Sequence, residues 1–263
     1  MKKINYNKIT FSMTYYGQVE RLQFQLDFFS DQDQQIKDNV ILQIINDGYN
    51  DAGLFETICQ SYPDLNIKAY SATKDVGFNN HGCRNLMMLE SETNWNMLMD
   101  IDVLLNNKLL DIMMTADLNE KMFYCFRVKF DHPDNPEDYD NLDIDPKKIL
   151  KYKAHPNTWL MNKPCFWTGG GYDVEFTGMR HGDAEFFMSL DKEKYDYELF
   201  HPEIDDELTI HVRKPNRNRS YLNQATEHVK TLNRTVDFVK KRNEDSYRKH
   251  KKRLVTFPWK KIA

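Results

Sequence analysis

The chain has 263 residues, of which 29% are charged and 40% hydrophobic, with a formal net charge of −4. That is the composition of an ordinary soluble globular protein, long enough for one large domain or one domain with an extension. No stretch approaches the roughly 18 apolar residues of a membrane-spanning helix, so no transmembrane segment is expected. The four cysteines (Cys59, Cys83, Cys125, Cys165) are scattered and form no C-x-x-C pair, which argues for reduced thiols in the cytoplasm and against a zinc site or disulfide framework.

The small net charge hides an asymmetry. Val212 to Ala263 carries 16 Lys and Arg against 4 Asp and Glu, a balance of +12, and the first 211 residues balance −16. A basic end on an acidic body raises nucleic acid or an anionic membrane surface as partners.

The N-terminus, MKKINYNKITFSMTYYG, is basic, but its apolar part is short and broken by Ser and Thr. It reads as a first strand, Lys8 to Met13, and not as a signal peptide. Thr14 to Gly17 should break that strand. Gln18 to Ser30 follows as an amphipathic helix with Val19, Leu22, Leu26 and Phe29 on one face. Asn39 to Asn46 is an apolar strand, too rich in Ile and Val for a sheet edge, and it ends in Asp47-Gly48. A helix over Ala52 to Ser61 is stopped by Pro63, and Leu65 to Ser71 is a third strand. Asn79 to Glu90 has the pattern of a helix with Leu86 and Leu89 inward.

An apolar run then drives into two aspartates, NWNMLMDIDVLLN (Asn94–Asn106). Alternation along a strand would send Asp100 and Asp102 to one face. Two unpaired carboxylates there resist ionising together, and a divalent cation such as Mg²⁺ or Mn²⁺ removes the conflict. The bland alternative is a pair of aspartates capping a helix at Asn107 to Met114. Strands alternating with helices imply crossover units, a mostly parallel sheet, and a ligand outside the carboxyl ends of its strands. Tyr15, Tyr16, Asp47 and the Asp100/Asp102 pair all fall at those ends.

The second half is less regular. Met122 to Phe130 reads as a strand. Asp131 to Pro146 holds seven acidic residues and is either a solvated surface loop or a cover over the site. In KPCFWTGGGYDVEFTGMRHGDAE (Lys163–Glu185), three successive glycines in a chain with only 10 point to close backbone approach or a tight turn. Trp167 and Gly170 are therefore candidate substrate contacts, with Trp167 free either to stack on a sugar ring or to pack. Asp183 is either an N-cap of the following helix or a carboxylate held at a helix start. Leu208 to Val212 reads as a last strand carrying His211, either structural or a metal ligand. From Tyr221 to about Arg253 the chain reads as basic helix, and Pro258-Trp259 should end its order.

In this order, ITFSMTYYGQVERLQFQL, IINDGYND, DVGFNNHGCRNLMM, MDIDV, WTGGGYDVEFTGMRHGDAEFF and TIHVRKPN resemble the family-2-like glycosyltransferases of the GT-A fold. The acceptor-side block is most similar to the β-1,4-galactosyltransferase and polypeptide-GalNAc-transferase type. The resemblance spans roughly Ile9 to Asn216. It implies an α/β, Rossmann-like domain over residues 1–216, with 217–263 a basic helical C-terminal extension.

By that resemblance Thr14 and Tyr16 line the base and ribose, Asp47 hydrogen-bonds a uracil, and Arg84 lies near the phosphates. Asp100 sits at ribose and metal, Asp102 and His211 bind Mn²⁺ or Mg²⁺, and Asp183 is the catalytic base. Two positions depart from the pattern. Gly182 stands where the family has Glu, and Asn46 where it has the first Asp of D-D-G-S.

The chemistry agrees. Transfer from a nucleotide-diphosphate sugar needs its leaving diphosphate neutralised and the acceptor hydroxyl deprotonated, by a metal and a positioned carboxylate respectively. One base acting opposite the leaving group implies inversion. The expected donor is a UDP-sugar and the expected acceptor a glycan, a lipid-linked glycan or a protein. The alternatives are transfer to nucleic acid such as a modified base in viral DNA, a non-catalytic nucleotide-sugar binder, or a nucleic-acid-binding protein using the basic tail. A nucleotidyltransferase should show a Gly-rich basic phosphate loop near the N-terminus, and TYYGQVERL is not one.

Overall fold

The fold was obtained as a computed structural model, which describes residues 5–76, 79–131, 154–174, 182–191, 193–200, 210–213 and 257–262. The acidic stretch 132–146 and the basic stretch 214–256 lie outside the described residues, so the expected cover and the expected C-terminal helix do too.

The N-terminal half is built from parallel βα units. Strands β1 (Ile9–Tyr15), β2 (Val40–Asn46), β3 (Ile67–Ala72) and β4 (Trp95–Asp100) alternate with helices α1 (Val19–Ser30), the short α2 (Gln34–Lys37), α3 (Ala52–Gln60) and α4 (Asn80–Glu90). Their order, β3-β2-β1-β4, reverses direction at β1. The point of reversal leaves a crevice at the carboxyl ends of β1 and β4, the usual ligand position in such sheets. The register puts Thr14 beside Asp100 there. As its composition predicts, β2 is interior, paired on both sides.

The second half continues as β5 (Val103–Leu104), α5 (Asn107–Thr115), β6 (Met122–Asp131), β7 (Ala154–Asn162), α6 (Lys163–Thr168), α7 (Gly182–Ser189), β8 (Asp196–Leu199), β9 (Ile210–Arg213) and β10 (Trp259–Lys261). Here β7 is antiparallel to both β4 and β6, and β9 runs parallel to β6 and antiparallel to β5. The sheet is thus parallel in the first half and mixed in the second.

The sequence expectations need four corrections here. β1 runs on through Tyr15, because Tyr15 is buried, pairs with Asn46 and stacks on Phe55 at 5.1 Å. Leu89 is 52% exposed, because one step of about 100° beyond buried Met88 carries it off the packed face. Trp259 does not end the order: β10 pairs antiparallel with β3 and covers that sheet edge. The strand carrying the aspartates ends at Asp100, so alternation does not govern Asp102. Residues Ile101 and Asp102 form a turn. A buried side chain of α1 pins it, Gln25 Nε2 donating to the carbonyls of Ile101 at 3.1 Å and Val103 at 2.6 Å.

Candidate active site

Four parallel strands deliver polar groups to one end of the sheet. At the end of β2, Asn46 organises the loop that follows. Its Oδ1 accepts from Tyr49 N at 2.9 Å, and its Nδ2 donates to Tyr49 O at 3.1 Å and Asp51 Oδ1 at 3.3 Å. An aspartate at position 46 would lose both donated bonds and put a second carboxylate against Asp51. That accounts for the departure from D-D-G-S.

Asp47 is buried and accepts from Asn79 N at 2.8 Å and Cys83 Sγ at 3.5 Å, both at the start of α4. Burial pushes its pKa up to about 6, against the lowering effect of those bonds. Gly48 has φ +82°, and a Cβ there would lie 2.6 Å from Asp75 Cα, so only glycine makes this turn. Tyr16 donates to Asp75 Oδ2 at 2.8 Å and meets Tyr49 edge-on at 5.1 Å. Both rings are about two-fifths exposed at this end of the sheet. Thr14 Oγ1 donates to Asn80 Oδ1 at 2.8 Å. Thr14 and Asp47 thus contact the start of α4, and Tyr16 contacts Asp75 ahead of it.

Arg84 is the centre of the arrangement. It projects from α4 with its side chain 2% exposed. Its Nη2 donates to Asp100 Oδ1 at 2.6 Å, and its Nη1 donates to Asp183 Oδ1 at 2.8 Å and to the Tyr172 hydroxyl at 2.6 Å. Burial opposes the guanidinium charge, but Tyr172, Asp183 and Asp100 outweigh it and push its pKa up. The neighbouring Asn85 makes a reciprocal pair with the Tyr172 backbone, both bonds 2.8 Å. The Tyr172 ring stacks on Phe186 of α7 at 4.2 Å and 9°. Gly171, at φ +78°, is part of the same fit, since a Cβ there would lie 2.6 Å from Asn85 Oδ1.

Asp183 lies in the first turn of α7, inside the helix, and its carboxylate is held by Arg84. Gly182, the other departure, has a spatial cause. A Cβ at position 182 would sit 2.1 Å from Nε2 of buried His81, so the imidazole fills the volume a longer side chain would take.

The two aspartates of the D-x-D have different surroundings. Both oxygens of Asp100 are occupied, Oδ1 by Arg84 and Oδ2 by Asn157 Nδ2 at 3.0 Å. Asp102 has Arg21 at 3.5 Å. Burial first, and then the charge of Asp100, push its pKa up to about 6 against the pull of Arg21. Neither aspartate caps α5. Asn106 does, accepting from Leu109 N at 2.9 Å.

A divalent cation fits the Asp102 corner by donor chemistry. Asp102 is a hard oxygen donor beside a second carboxylate, the kind of group that a divalent cation binds. Among the described residues no three His, Cys, Asp or Glu side chains converge on one point. β9 pairs His211 with Leu104, two residues beyond Asp102, although the His211 side chain lies outside the described residues.

Trp167 packs edge-on against Phe166 at 4.9 Å, and Gly170 has φ +78° in the turn after α6. Sequence reasoning noted Asn46 only as a departure from D-D-G-S and missed Gln25, Tyr49, His81, Asn157 and Tyr172. The available signal was the dipeptide Arg84-Asn85 in the middle of a helix otherwise rich in Leu and Met.

No protein-family model and no curated protein matches the chain. Solved structures do. A mannosyltransferase from Pyrobaculum calidifontis, PcManGT, in complex with GDP-Man and Mn²⁺, aligns at TM-score 0.58 and 14% identity over 87% of this chain and 62% of its own. TarS 1-349 of S. aureus with UDP-GlcNAc aligns at TM-score 0.58 and 13% identity, over 83% of this chain and 61% of its own. GalNAc-T7 with UDP, GalNAc and Mn²⁺ aligns at TM-score 0.57 and 8% identity, over 82% and 45%. The chain has the GT-A glycosyltransferase fold and spans about three fifths or less of the length of these structures. Among the described residues no helix is long and apolar enough to cross a membrane.

Proposed function

We propose that the chain is a metal-dependent glycosyltransferase that moves a sugar from a nucleotide-diphosphate sugar, a UDP-sugar first among them, to an acceptor hydroxyl with inversion. One observation carries the reading: Asp100 of the D-x-D and Asp183 of the acceptor-side helix meet on one guanidinium at the switch point of a GT-A sheet. Two distant parts of the chain, each pointing to a different half of the reaction, share one site.

Asp47, Thr14 and Tyr16 take the base and ribose. Asp47 as a carboxylate accepts from the N3–H of uracil. Asp102 and His211 are the residues that would hold Mn²⁺ or Mg²⁺, which when bound neutralises the leaving diphosphate as a Lewis acid. Asp183 takes the proton of the attacking hydroxyl, an effect typically worth ~10²–10⁴-fold. A single carboxylate in the role of base is what supports inversion. Trp167 and Gly170 are assigned to the sugar or acceptor. Because His81 and Gly182 replace an acidic side chain, acceptor choice differs from that of the resembling enzymes.

The charge distribution along the sequence bears on the acceptor class. A glycan, lipid-linked glycan or protein hydroxyl is the main reading. The +12 balance after Val212 favours a second, transfer to nucleic acid. Salt-dependent binding to duplex DNA, compared with binding to anionic vesicles, separates nucleic acid from a membrane-bound acceptor. Calorimetric titration with UDP, with and without Mn²⁺, tests the donor site. Metal-dependent binding that Asp102→Asn abolishes is the expected result, and absence of binding by any nucleotide overturns it.

A further inference from the structure

Arg84 does more than its resemblance-based place beside the phosphates would require. Its two terminal nitrogens are committed inside the protein, one to Asp100 and the other to Asp183 and Tyr172. We propose that Arg84 is a positioning residue joining the donor side of the site to the acceptor side, fixing Asp183 relative to the Asp100–Asp102 pair through a single buried fork. This deepens the glycosyltransferase reading and rests on it.

Three features support the assignment. First, the bridge is rigid. Arg84 leaves a helix whose next residue, Asn85, is locked to Tyr172 by two backbone bonds, and Tyr172 is stacked flat on Phe186, three residues after Asp183. The same tyrosine thus ties Arg84 to the helix carrying Asp183 by hydroxyl, backbone and ring. Second, the far end is fixed as well, because Asn157 of β7 holds the other oxygen of Asp100. Third, the geometry needs a guanidinium. A planar fork serves two carboxylates and a hydroxyl from one charge, whereas an ammonium is a point donor on a flexible stem.

The arrangement also divides labour in the D-x-D. Asp100, with each oxygen accepting one hydrogen bond, anchors the bridge, and Asp102, which lies outside the fork, is the residue assigned to the cation. Asp183 is held by one oxygen to Arg84, and displacement of such a carboxylate by about 1 Å can cost ~10²-fold in rate.

The test compares wild type, Arg84→Lys and Tyr172→Phe in two measurements, calorimetric binding of UDP with Mn²⁺ and steady-state turnover of UDP-sugars. A positioning role predicts that Arg84→Lys binds UDP with Mn²⁺ nearly as wild type does and keeps its donor KM, with kcat down about 10²-fold. Tyr172→Phe keeps the stacked ring, removes the hydroxyl that Arg84 and Asp183 share and lowers kcat about tenfold at unchanged KM, so it carries the test if Arg84→Lys misfolds. A wild-type kcat in both variants, or a loss confined to donor KM and UDP affinity, overturns the proposal and makes Arg84 a donor-binding or purely structural group. Failure of the wild type to bind any nucleotide or turn over any nucleotide sugar is a different result, seen without the variants. It overturns the glycosyltransferase reading and with it the role given to Arg84.

Discussion

The proposed donor half and the proposed acceptor half of the site are built in different ways. On the donor side, Thr14, Asp47 and Asp100 each stand at or just beyond the end of a parallel strand. Local pattern places them: an apolar run, then a polar residue, then a helix. On the acceptor side, Asp183 lies in the first turn of α7 and not at the end of a described strand. It depends on Arg84, 99 residues earlier in the chain, and on Tyr172 stacked on Phe186. The lesson is that a residue set by its own strand survives changes elsewhere, whereas one set by partners from distant segments is lost with any of them.

The largest expected effect probes the acceptor side alone. Asp183→Asn should lower transfer by ~10²–10⁴-fold while sparing nucleotide binding, read from kcat and calorimetry together. Normal transfer by this variant would remove Asp183 from its role and dissolve the distinction between the halves. On the donor side, Asp102→Asn should cost metal-dependent UDP affinity at least the ~10–100-fold that loss of an outer hydrogen-bond partner of a metal ligand costs. His211→Ala should weaken the same affinity, and unchanged Mn²⁺ dependence in both variants would move the metal elsewhere.

Asp47 sharpens the comparison through pH. Its folded pKa of about 6 lies above the ordinary 3.8. The folded state therefore holds the proton more tightly, and stability is lost as pH rises from about 4 to about 6. The difference corresponds to roughly 3 kcal/mol at most. Asp47→Asn lacks that loss, so its melting temperature should gain on wild type between pH 4 and pH 7, even as uracil binding falls. A constant gap across that range would show that burial does not strain Asp47.

Gly182→Ala drives a Cβ into His81 and should destabilise by about 1–3 kcal/mol, as overpacking does. Replacing His81 with alanine at the same time should recover part of the loss. The smallest effect is at Leu89, half exposed at the end of α4. Leu89→Gln should stay within about 0.5 kcal/mol in denaturant unfolding, whereas a core-sized loss would return Leu89 to the buried face that periodicity assigned it.

The sequence by itself determined the βα units, the interior place of β2, the apolar strand that leads into the two aspartates and the list of residues worth watching. These rest on interactions between near neighbours in the chain, where apolar periodicity and breaking residues carry the information. It missed β7, β8 and β10, because antiparallel and edge strands get their partners from far along the chain. Only the tertiary structure decided that Gln25 pins the turn holding Asp102, that His81 occupies the space beside Gly182, and that Arg84 joins Asp100 to Asp183. The physical reason is the same in each case. A buried polar group must find its partner wherever the fold brings one, and no spacing along the chain records where that is.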